Sequence, residues 1–368
     1  MICISIPAIL FFCWFHTMMS QSFMKGNAVK NASDAKKMPV RPPTLEDVAR
    51  AAGLSPITVS RALNTPGIVR PKTVAKVKEA VQLTGYIPNM LAGGLASRRS
   101  RLIAVVVPQI NNSMFIDTIQ AITDELALRG YHMLLCVSGY SAETEADIVA
   151  TLLSRRPDGI VLTGIHHSNE LKKCILNAAI PVVEIWDLTP TPLDMLIGFS
   201  HEKIGHAVAG YLLQKGHRRF GLMWTPDQRA GLRHKGMMEA FERQGSVTFQ
   251  EVSIPLPATL RRGREGLAQL MDSGGAFDAI ICSSDTLAHG AIIEAQDRGL
   301  SVPEDVAVVG FGDLDFAGCT APSITTISID RGRIGREAAT LLADKIEGLP
   351  VVNNVVDIGF TLIERDSA

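Results

Sequence analysis

The 368-residue sequence predicts an α/β protein with a small helical unit in front of its body. From Leu102 onward, short apolar runs alternate with amphipathic helical segments. Runs that are apolar on both faces and separated by helices are typical of parallel sheets covered on both sides. The rhythm occurs twice, which predicts two halves with a cleft between them. The hydrophobic fraction of 46% is enough for a sizeable core.

Residues 39–87 read as three short helices. Thr44 is a suitable N-cap with Asp47 three residues later, and Gly53 ends this first helix. Ser55 caps a second helix that begins with a proline. The third helix, "KTVAKVKEAVQLTG", has valines on one face and lysines on another.

The first two helices predict a helix-turn-helix, with an ordinary helical hairpin as the alternative. Ala49, Gly53 and Val59 would hold the helices and the turn, and Leu54 would fill the turn. The outer face of the second helix can reach base edges, and nearby hydroxyls and lysines can reach phosphates. The residues of this unit that we expect to contact DNA are Thr44, Ser55, Pro56, Ile57, Thr58, Ser60, Arg61 and Asn64.

The body spans residues 101–368, and its strands and helices can be assigned in turn. The predicted strands are "LIAVVVP", "YHMLLCV", "DGIVLTG", "PVVEIWD", "RFGLMW", "VTFQEV", "DAIICSS" and "VAVVGFG". The predicted helices span residues 114–129, 143–154, 169–179, 201–215, 232–244, 262–273 and 286–298.

Charge is distributed unevenly along the chain. The net charge is −1, but residues 39–101 hold ten basic and three acidic side chains, a local charge of +7. The first 38 residues add +3, which leaves −11 for the remainder. A basic part followed by an acidic body indicates that only the first part meets a polyanion.

Residues 1–38 form an N-terminal extension. We expect either that it is disordered or that translation starts further downstream than the assigned Met1. The apolar run at residues 2–15 is too short to span a bilayer well. It also lacks the basic start and the cleavage site of a signal peptide. We favour Met24 or Met38 as the start and expect no membrane partner, with a weak membrane anchor as the alternative.

No pattern for catalysis or metal binding stands out. The six cysteines are scattered without a CxxC pair, and most lie in apolar runs, which predicts buried thiols in a reducing compartment. His166 and His167 have no Cys or Asp partner at ligand spacing, so we expect a solvated loop there. Walker, GxSxG and dinucleotide patterns are missing from the sequence. We therefore expect no metal, no cofactor and no enzymatic activity.

The chain resembles the lactose-repressor (LacI/GalR) family of bacterial transcription regulators over residues 43–366. The resemblance is carried by "TLEDVARAAGLSPITVSRALN", "VKEAVQLTGYIPNMLAGGLAS", "GFSHEKIGHAVAGYLLQKGHRRFGLM" and "GLSVPEDVAVVGFGDLDFA". It implies a two-lobed periplasmic-binding-protein-like body, double-stranded operator DNA as a partner, a small-molecule effector and a homodimer. It also implies a location in the bacterial cytoplasm, on the nucleoid.

The resemblance further implies a hinge helix within the linker 88–100 that enters the minor groove. Asn89, Ala92 and Leu95 match DNA-contacting hinge positions, and Leu95 matches the leucine that wedges between base pairs. Two adjacent glycines depart from the family pattern and weaken this helix by roughly 1 kcal/mol each. We therefore expect the hinge to fold only on DNA.

The family's two main specificity positions, at the start of the second helix, hold Pro56 and Ile57 here. Neither side chain donates a hydrogen bond. We expect an apolar contact, such as one with a thymine methyl, and a greater reliance on Thr58, Arg61 and Asn64.

For the body, the resemblance implies an effector cleft between the lobes, with crossovers near residues 195, 322 and 350. Ligands of open α/β sheets bind where strands end and helices begin. Arg233 matches an effector-binding arginine, and Asp285 is expected to orient the pocket loop or to cap a helix. The predicted effector-binding residues are Asn112, Phe115, Tyr140, Trp186, Arg233, Ser284, Asp285 and Arg331.

The charges of these residues favour an anionic effector. Arg331 stands where sugar-binding members often have an apolar residue, and Gly312 stands where many carry a ligand-contacting Asp. Two arginines and a missing carboxylate suit a carboxylate ligand. The segments "LDMLIGF", "PVVEIWD" and "VVDIGFTLIE" resemble the gluconate-utilisation repressors of the family.

We therefore predict a repressor controlled by gluconate or a similar sugar acid. A neutral sugar effector and a lobe-to-lobe salt bridge of Arg331 are the alternatives. An exported sugar-binding protein is the alternative of another class, but such a protein has no use for a basic helical head.

Overall fold

The computed structural model describes residues 41–87, 99–110 and 113–368. The chain divides into two compact units, Met1–Pro88 and Asn89–Ala368. Several predicted features lie outside the described residues: the extension 1–38, the hinge residues Asn89, Ala92 and Leu95, and Asn112. Within the described part, no helix is long and apolar enough to cross a membrane.

The first unit contains the head, residues 41–87, which has three α-helices. They are α1 (Leu45–Ala52), α2 (Pro56–Asn64) and α3 (Pro71–Thr84). The Asp47 carboxylate accepts hydrogen bonds from the backbone N–H and the hydroxyl of Thr44, at 2.9 and 2.8 Å, and so starts α1. These bounds agree with the three helices predicted from caps and glycines.

The turn between α1 and α2 depends on one left-handed residue. Gly53 has a φ of 57°, and its N–H donates to the carbonyl of Arg50. The next N–H, of Leu54, donates to the carbonyl of Ala49 at 2.9 Å. Ala49 and Val59 are buried between the helices, as predicted for the residues that hold the turn. The buried core of the head is Val48, Ala49, Ala52, Val59, Ala62, Val77 and Ala80.

The first lobe of the body is built on a six-stranded parallel sheet. Its strands are β1 (Leu102–Val107), β2 (His132–Val137), β3 (Gly159–Thr163), β4 (Val182–Ile185), β5 (Met195–Gly198) and β11 (Val355–Asp357). Their order is β11-β5-β4-β3-β1-β2, and the central strands are almost wholly buried. The helices of this lobe are α4 (Ile116–Leu128), α5 (Ala142–Ser154), α6 (Asn169–Ala178) and α11 (Arg331–Glu347).

The second lobe has a four-stranded parallel sheet in the order β7-β6-β8-β9. Its strands are β6 (Arg219–Trp224), β7 (Thr248–Ser253), β8 (Ala279–Cys282) and β9 (Ala307–Val309). Its helices are α7 (His201–Gln214), α8 (Gln228–Gln244), α9 (Leu260–Asp272) and α10 (Asp285–Asp297). The central strands of both sheets are therefore the buried parallel strands that the apolar runs predict, whereas the edge strands β2 and β7 are largely exposed.

Three short segments connect the lobes. They lie at residues 199–200, 329–330 and 358–360, between β5 and α7, between β10 (Thr326–Ser328) and α11, and between β11 and β12 (Thr361–Ile363). Strands β10 and β12 form an antiparallel pair. The crossovers lie several residues beyond the predicted positions near 195, 322 and 350. Strands β10, β11 and β12 have only three residues each, which is too short for the sequence pattern to show where they begin and end.

Helices α7 and α8 approach so closely that their backbones touch at two glycines. A Cβ on Gly205 would lie 2.0 Å from the carbonyl oxygen of Arg233, and one on Gly236 would lie 2.1 Å from that of Glu202. This contact brings the start of α7, at His201, close to the middle of α8. The packing of two helices thus places side chains that later form the floor of the cleft.

We expect Gly205→Ala to destabilise the body by about 1–3 kcal/mol, because the added methyl group forces the two helices apart. The measurement is urea unfolding followed by tryptophan fluorescence, with the midpoint compared at constant m.

The matched control is Gly210→Ala on the same helix, where an added Cβ would have no atom within 4 Å. This variant should be as stable as the wild type or up to about 1 kcal/mol more stable. Equal midpoints for the two variants would contradict the close helix contact.

Candidate functional site

One face of α2 carries the exposed residues that were predicted to contact DNA. Ile57 is 65% exposed, so its apolar side chain is available for contact. Arg61 and Asn64 follow at helical spacing and are exposed on the same face, and Pro56 is exposed at the first position of the helix. The face therefore combines an apolar projection, a cation and an amide.

The other predicted polar contacts are already ordered within the head. Ser55 Oγ accepts from the N–H of Thr58 and lies 2.9 Å from its hydroxyl. Asn64 donates to the Ser60 hydroxyl at 3.2 Å, and the Thr44 hydroxyl donates to Asp47. These bonds hold the side chains in place along α2 and at the start of α1. The described head carries seven basic and three acidic residues, a charge of +4.

A cleft opens between the two lobes of the body. It consists of two adjoining chambers, one larger than the other, that share Tyr140, Asp227 and Arg229. We call the larger one the polar chamber and the smaller one the aromatic chamber. The predicted residues that line the aromatic chamber are Phe115, Tyr140, Trp186, Arg233 and Ser284.

Trp186 forms the aromatic wall of the cleft. Its ring meets Phe115 and Phe199 edge to face, with centroids 5.2 and 5.8 Å apart, and it is only 2% exposed. Its backbone φ of 73° lies in the left-handed region, where a bulky residue is strained. Its indole Nε1 is buried and has no hydrogen-bond partner among the described residues. Strain and an unpaired donor at one residue indicate a binding site.

Arg233 forms the floor of the aromatic chamber. Its Nη1 donates to His201 Nδ1 at 3.1 Å, its Nη2 donates to the Ser283 carbonyl at 3.1 Å, and its guanidinium lies 3.9 Å from the ring centre of Phe311. Burial lowers the pKa of Arg233 to about 10, so the side chain stays charged at neutral pH.

The Arg233 contact determines the protonation of His201. A guanidinium only donates hydrogen bonds, so His201 Nδ1 must accept. The proton is therefore on Nε2, which donates to the Trp186 carbonyl at 3.0 Å. Burial and the charge of Arg233 hold the pKa of His201 well below its usual range. A neutral imidazole thus joins the aromatic wall of one lobe to the arginine of the other.

Sequence reasoning missed several cleft residues, among them Asp187, His201 and Arg229. Arg229 lines both chambers, and its guanidinium lies 5.5 Å from the ring centre of Phe115. Burial raises the pKa of Asp187, whose Oδ1 accepts from the N–H of Leu188. A signal for Arg229 existed, because it follows β6 at the start of a helix, where ligands of such sheets bind.

Ser284 and Asp285 begin α10 but have different surroundings. The Ser284 hydroxyl accepts from the N–H of Leu287 and lines the aromatic chamber. The Asp285 carboxylate is fully buried, lines neither chamber, and accepts from the Thr326 hydroxyl and the Leu314 N–H, at 2.5 and 2.7 Å. Burial raises its pKa to about 6. The structure does not bring Asp285 to the ligand; it braces the loop after β9.

Arg331 does not line either chamber, which corrects its placement among the cleft residues. Its Nε donates to Asp117 of α4 at 2.8 Å, and its Nη1 donates to the carbonyls of Gly312 and Asp313. The side chain is only 15% exposed. Because α4 belongs to the first lobe and the loop after β9 to the second, Arg331 connects the lobes, as in the alternative interpretation.

The two adjacent histidines of the β3–α6 loop differ, and the expectation of a solvated loop is wrong for one of them. His166 is exposed, but the His167 ring is buried with Nδ1 2.9 Å from Glu145 and Nε2 3.5 Å from Glu184. Burial alone would lower the pKa of His167, but the hydrogen bonds and charges of the two glutamates raise it to about 9. No metal-binding group of His, Cys, Asp and Glu occurs within the described residues.

The cysteines also differ in part from their predicted burial. Cys282 is buried in β8, whereas Cys136 and Cys174 are half-buried and Cys319 is exposed. The four thiols of the described ranges are all free.

A basic helix-turn-helix head and a two-lobed body with a ligand cleft define a ligand-responsive DNA-binding regulator. Residues 44–89 match the model of the lacI family of bacterial regulatory proteins, and residues 209–368 match the periplasmic binding protein-like domain. The chain belongs to the lacI family and is a DNA-binding transcriptional regulator.

Individual relatives are similar along most of their length. The HTH-type transcriptional regulator GntR of Pseudomonas aeruginosa is 38% identical over 88% of this chain and 95% of its own. A LacI-family regulator from Silicibacter pomeroyi has a TM-score of 0.84 at 31% identity, covering 89% and 99% of the two chains. A lac repressor dimer bound to operator and the anti-inducer ONPF has a TM-score of 0.76 at 26% identity, covering 89% and 99%. The predicted fold and the predicted class of regulator are confirmed.

We expect Ile57→Ala to relax the DNA sequence preference at one base pair, because the exposed side chain would lose an apolar contact worth about 1 kcal/mol. The measurement is selection of binding sites from a randomised duplex library. The control is Leu83→Ala, at an apolar residue of α3 that is more exposed than Ile57, and it should keep the wild-type preference. An unchanged preference for Ile57→Ala would contradict base contact by this residue.

The raised pKa of His167 makes the stability of the body depend on pH. The two glutamates stabilise the folded body through protonated His167. This stabilisation is fully present below the unfolded pKa of about 6.5 and is lost as pH rises through the folded pKa of about 9. Between these limits the wild type should lose roughly 3 kcal/mol more unfolding free energy than His167→Gln.

The measurement is urea unfolding of both proteins across this pH window. His132→Gln, a change at an exposed histidine, should follow the wild type. If the unfolding free energies of the wild type and His167→Gln changed in parallel with pH, His167 would not be paired with Glu145 and Glu184 in the folded protein.

Proposed function

We propose that this protein is a repressor that binds operator DNA as a homodimer, and that a sugar acid such as gluconate in the cleft controls its DNA affinity. The observation that carries the proposal is a pair of arginines in an aromatic cleft. Arg229 makes no ion pair with a described residue, and Nη1 of Arg229 and Nε of Arg233 are buried without a hydrogen-bond partner there. Arg233 is buried and Arg229 half-buried, and guanidinium groups with unpaired N–H groups favour a bidentate anionic partner.

The remaining polarity of the cleft suits a polyhydroxy acid. Tyr140, Ser284 and Asp227 line its chambers with hydroxyl and carboxylate groups, beside the aromatic faces of Phe115 and Trp186. Aromatic faces beside a few placed polar groups are typical of small-molecule sites. Asp227 and Asp187 act on these arginines only at longer range, and a bound carboxylate, unlike a neutral sugar, would supply a direct ion pair.

The head supports the DNA part of the proposal. Its basic charge provides affinity for phosphates, and the exposed face of α2 provides Ile57, Arg61 and Asn64 for the major groove. The related lac repressor is a dimer on operator, and we extend that assembly to this chain. We place the protein in the bacterial cytoplasm, on the nucleoid, because its DNA partner lies there.

The proposal is tested by fluorescence anisotropy with duplexes from upstream of its own gene and of neighbouring transporter and kinase genes. Affinity should fall steeply between about 50 and 200 mM salt. Calorimetry with gluconate, 2-ketogluconate, idonate and glucose should show that at least one acid binds, and that this acid changes the operator affinity.

Arg61→Ala provides a control that separates the two activities, because it should weaken DNA binding and leave calorimetric binding of the acid unchanged. Binding of glucose alone would end the sugar-acid proposal. Binding of an acid that leaves the duplex affinity unchanged would contradict control of DNA binding by the effector.

A further inference from the structure

The cleft holds unpaired hydrogen-bonding atoms in both lobes, and in the first lobe these include the Trp186 Nε1 donor described above. From the second lobe, Arg229 Nη1 and Arg233 Nε are buried donors without a partner in the described part of the chain. From the first lobe, Asp187 Oδ2 is a buried acceptor without one. Buried polar atoms are nearly always satisfied, so an unsatisfied set that lines one cleft indicates a ligand that supplies the missing partners.

The two arginines differ in how much of each guanidinium is free. Arg233 is fixed by His201, by the Ser283 carbonyl and by the ring of Phe311, and the contact of α7 with α8 holds its backbone. Its two terminal nitrogens are therefore occupied. Arg229 forms no ion pair with a described residue; it lies near the ring of Phe115, and its charge favours the ionised form of Asp187 across the cleft. Arg229 keeps the planar fork that pairs with a carboxylate.

Asp187 is fixed on the opposite side of the cleft. It follows the strained Trp186, and its backbone packs against Gly198, where a Cβ would lie 1.8 Å from the Asp187 carbonyl oxygen. Oδ1 accepts from the N–H of Leu188 at 2.8 Å, which leaves Oδ2 for a ligand. An ionised carboxylate only accepts hydrogen bonds, so its partner must be a donor such as a hydroxyl. A second carboxylate at this place would be repelled.

We infer that Arg229 selects for the carboxylate of the effector, and that Asp187 accepts a hydrogen bond from a hydroxyl of the same molecule. A polyhydroxy acid then binds in one orientation across both lobes. Its acid end lies on the second lobe, and its hydroxyl end lies on the first. Arg233 is a positioning residue that holds His201 and the floor. This inference rests on the proposed sugar-acid effector and assigns its recognition to two residues.

The orientation can be tested with three probes that share a six-carbon chain. Gluconate has both the carboxylate and the hydroxyls, glucitol has only the hydroxyls, and hexanoate has only the carboxylate. Calorimetry on the full chain should show that wild type prefers gluconate over both others. Arg229→Gln should lose about 10- to 150-fold in gluconate affinity, the range for a hydrogen bond to a charged group, and should no longer distinguish gluconate from glucitol.

Asp187→Ala should weaken gluconate binding and leave the weak binding of hexanoate unchanged, because hexanoate has no hydroxyl to donate. Asp187→Asn keeps an acceptor oxygen and should recover part of the affinity.

Arg243→Gln, at an exposed arginine at the end of α8, should match the wild type throughout. Thermal melting of each variant checks that the body is folded. Arg229→Lys keeps the charge but loses the planar fork of the guanidinium, so its gluconate affinity should lie between those of wild type and Arg229→Gln.

Two outcomes would overturn the inference while the proposed function stands. One is wild-type gluconate affinity and selectivity in Arg229→Gln; the other is loss of hexanoate binding in Asp187→Ala. If wild type instead binds glucose and none of the sugar acids, the proposed effector class itself is wrong. The failures of the inference and of the proposed function can thus be told apart.

Discussion

The buried guanidinium of Arg233 is the interaction on which the rest of the cleft depends. Two glycines let α7 and α8 touch, and that contact places Arg233 beside His201. Because a guanidinium cannot accept, His201 must be neutral and must donate to the Trp186 carbonyl. The hydrogen bond thus connects Arg233 to the aromatic wall at Trp186, whose backbone is strained and which precedes Asp187. A change in helix packing far from any ligand would therefore be felt throughout the cleft.

The loop after β9 connects this floor to the contacts between lobes. Phe311 stacks on Arg233, while the carbonyls of Gly312 and Asp313 accept from Arg331 at the start of α11. The buried Asp285 carboxylate accepts a hydrogen bond from the N–H of Leu314 in the same loop. A ligand that shifts the floor can thus act on a loop that Arg331 joins to the first lobe. Packed cores switch between discrete arrangements rather than deforming smoothly, so such a loop is suited to transmit binding.

Much of the fold was predictable because its signals are local. Caps at Thr44 and Ser55 and the glycine at position 53 mark the head, and long apolar runs mark the central strands. The short strands near the crossovers were not predictable, because three residues carry too little pattern. In the cleft, Phe115, Trp186 and Arg233 were predicted from strand ends and from resemblance. Arg331 was misplaced, because charge alone does not show which carboxylate or carbonyl a guanidinium reaches.

By itself, the sequence determined the helical head, the two parallel-sheet lobes and the family, since these depend on periodicity, caps and ordered motifs along the chain. Only the tertiary structure decided which polar groups are satisfied. It buried His167 between two glutamates, turned Asp285 and Arg331 away from the chambers, and left Arg229 and Asp187 with unpaired atoms. The physical reason is that hydrogen-bond satisfaction joins residues distant in sequence, and no local pattern records it.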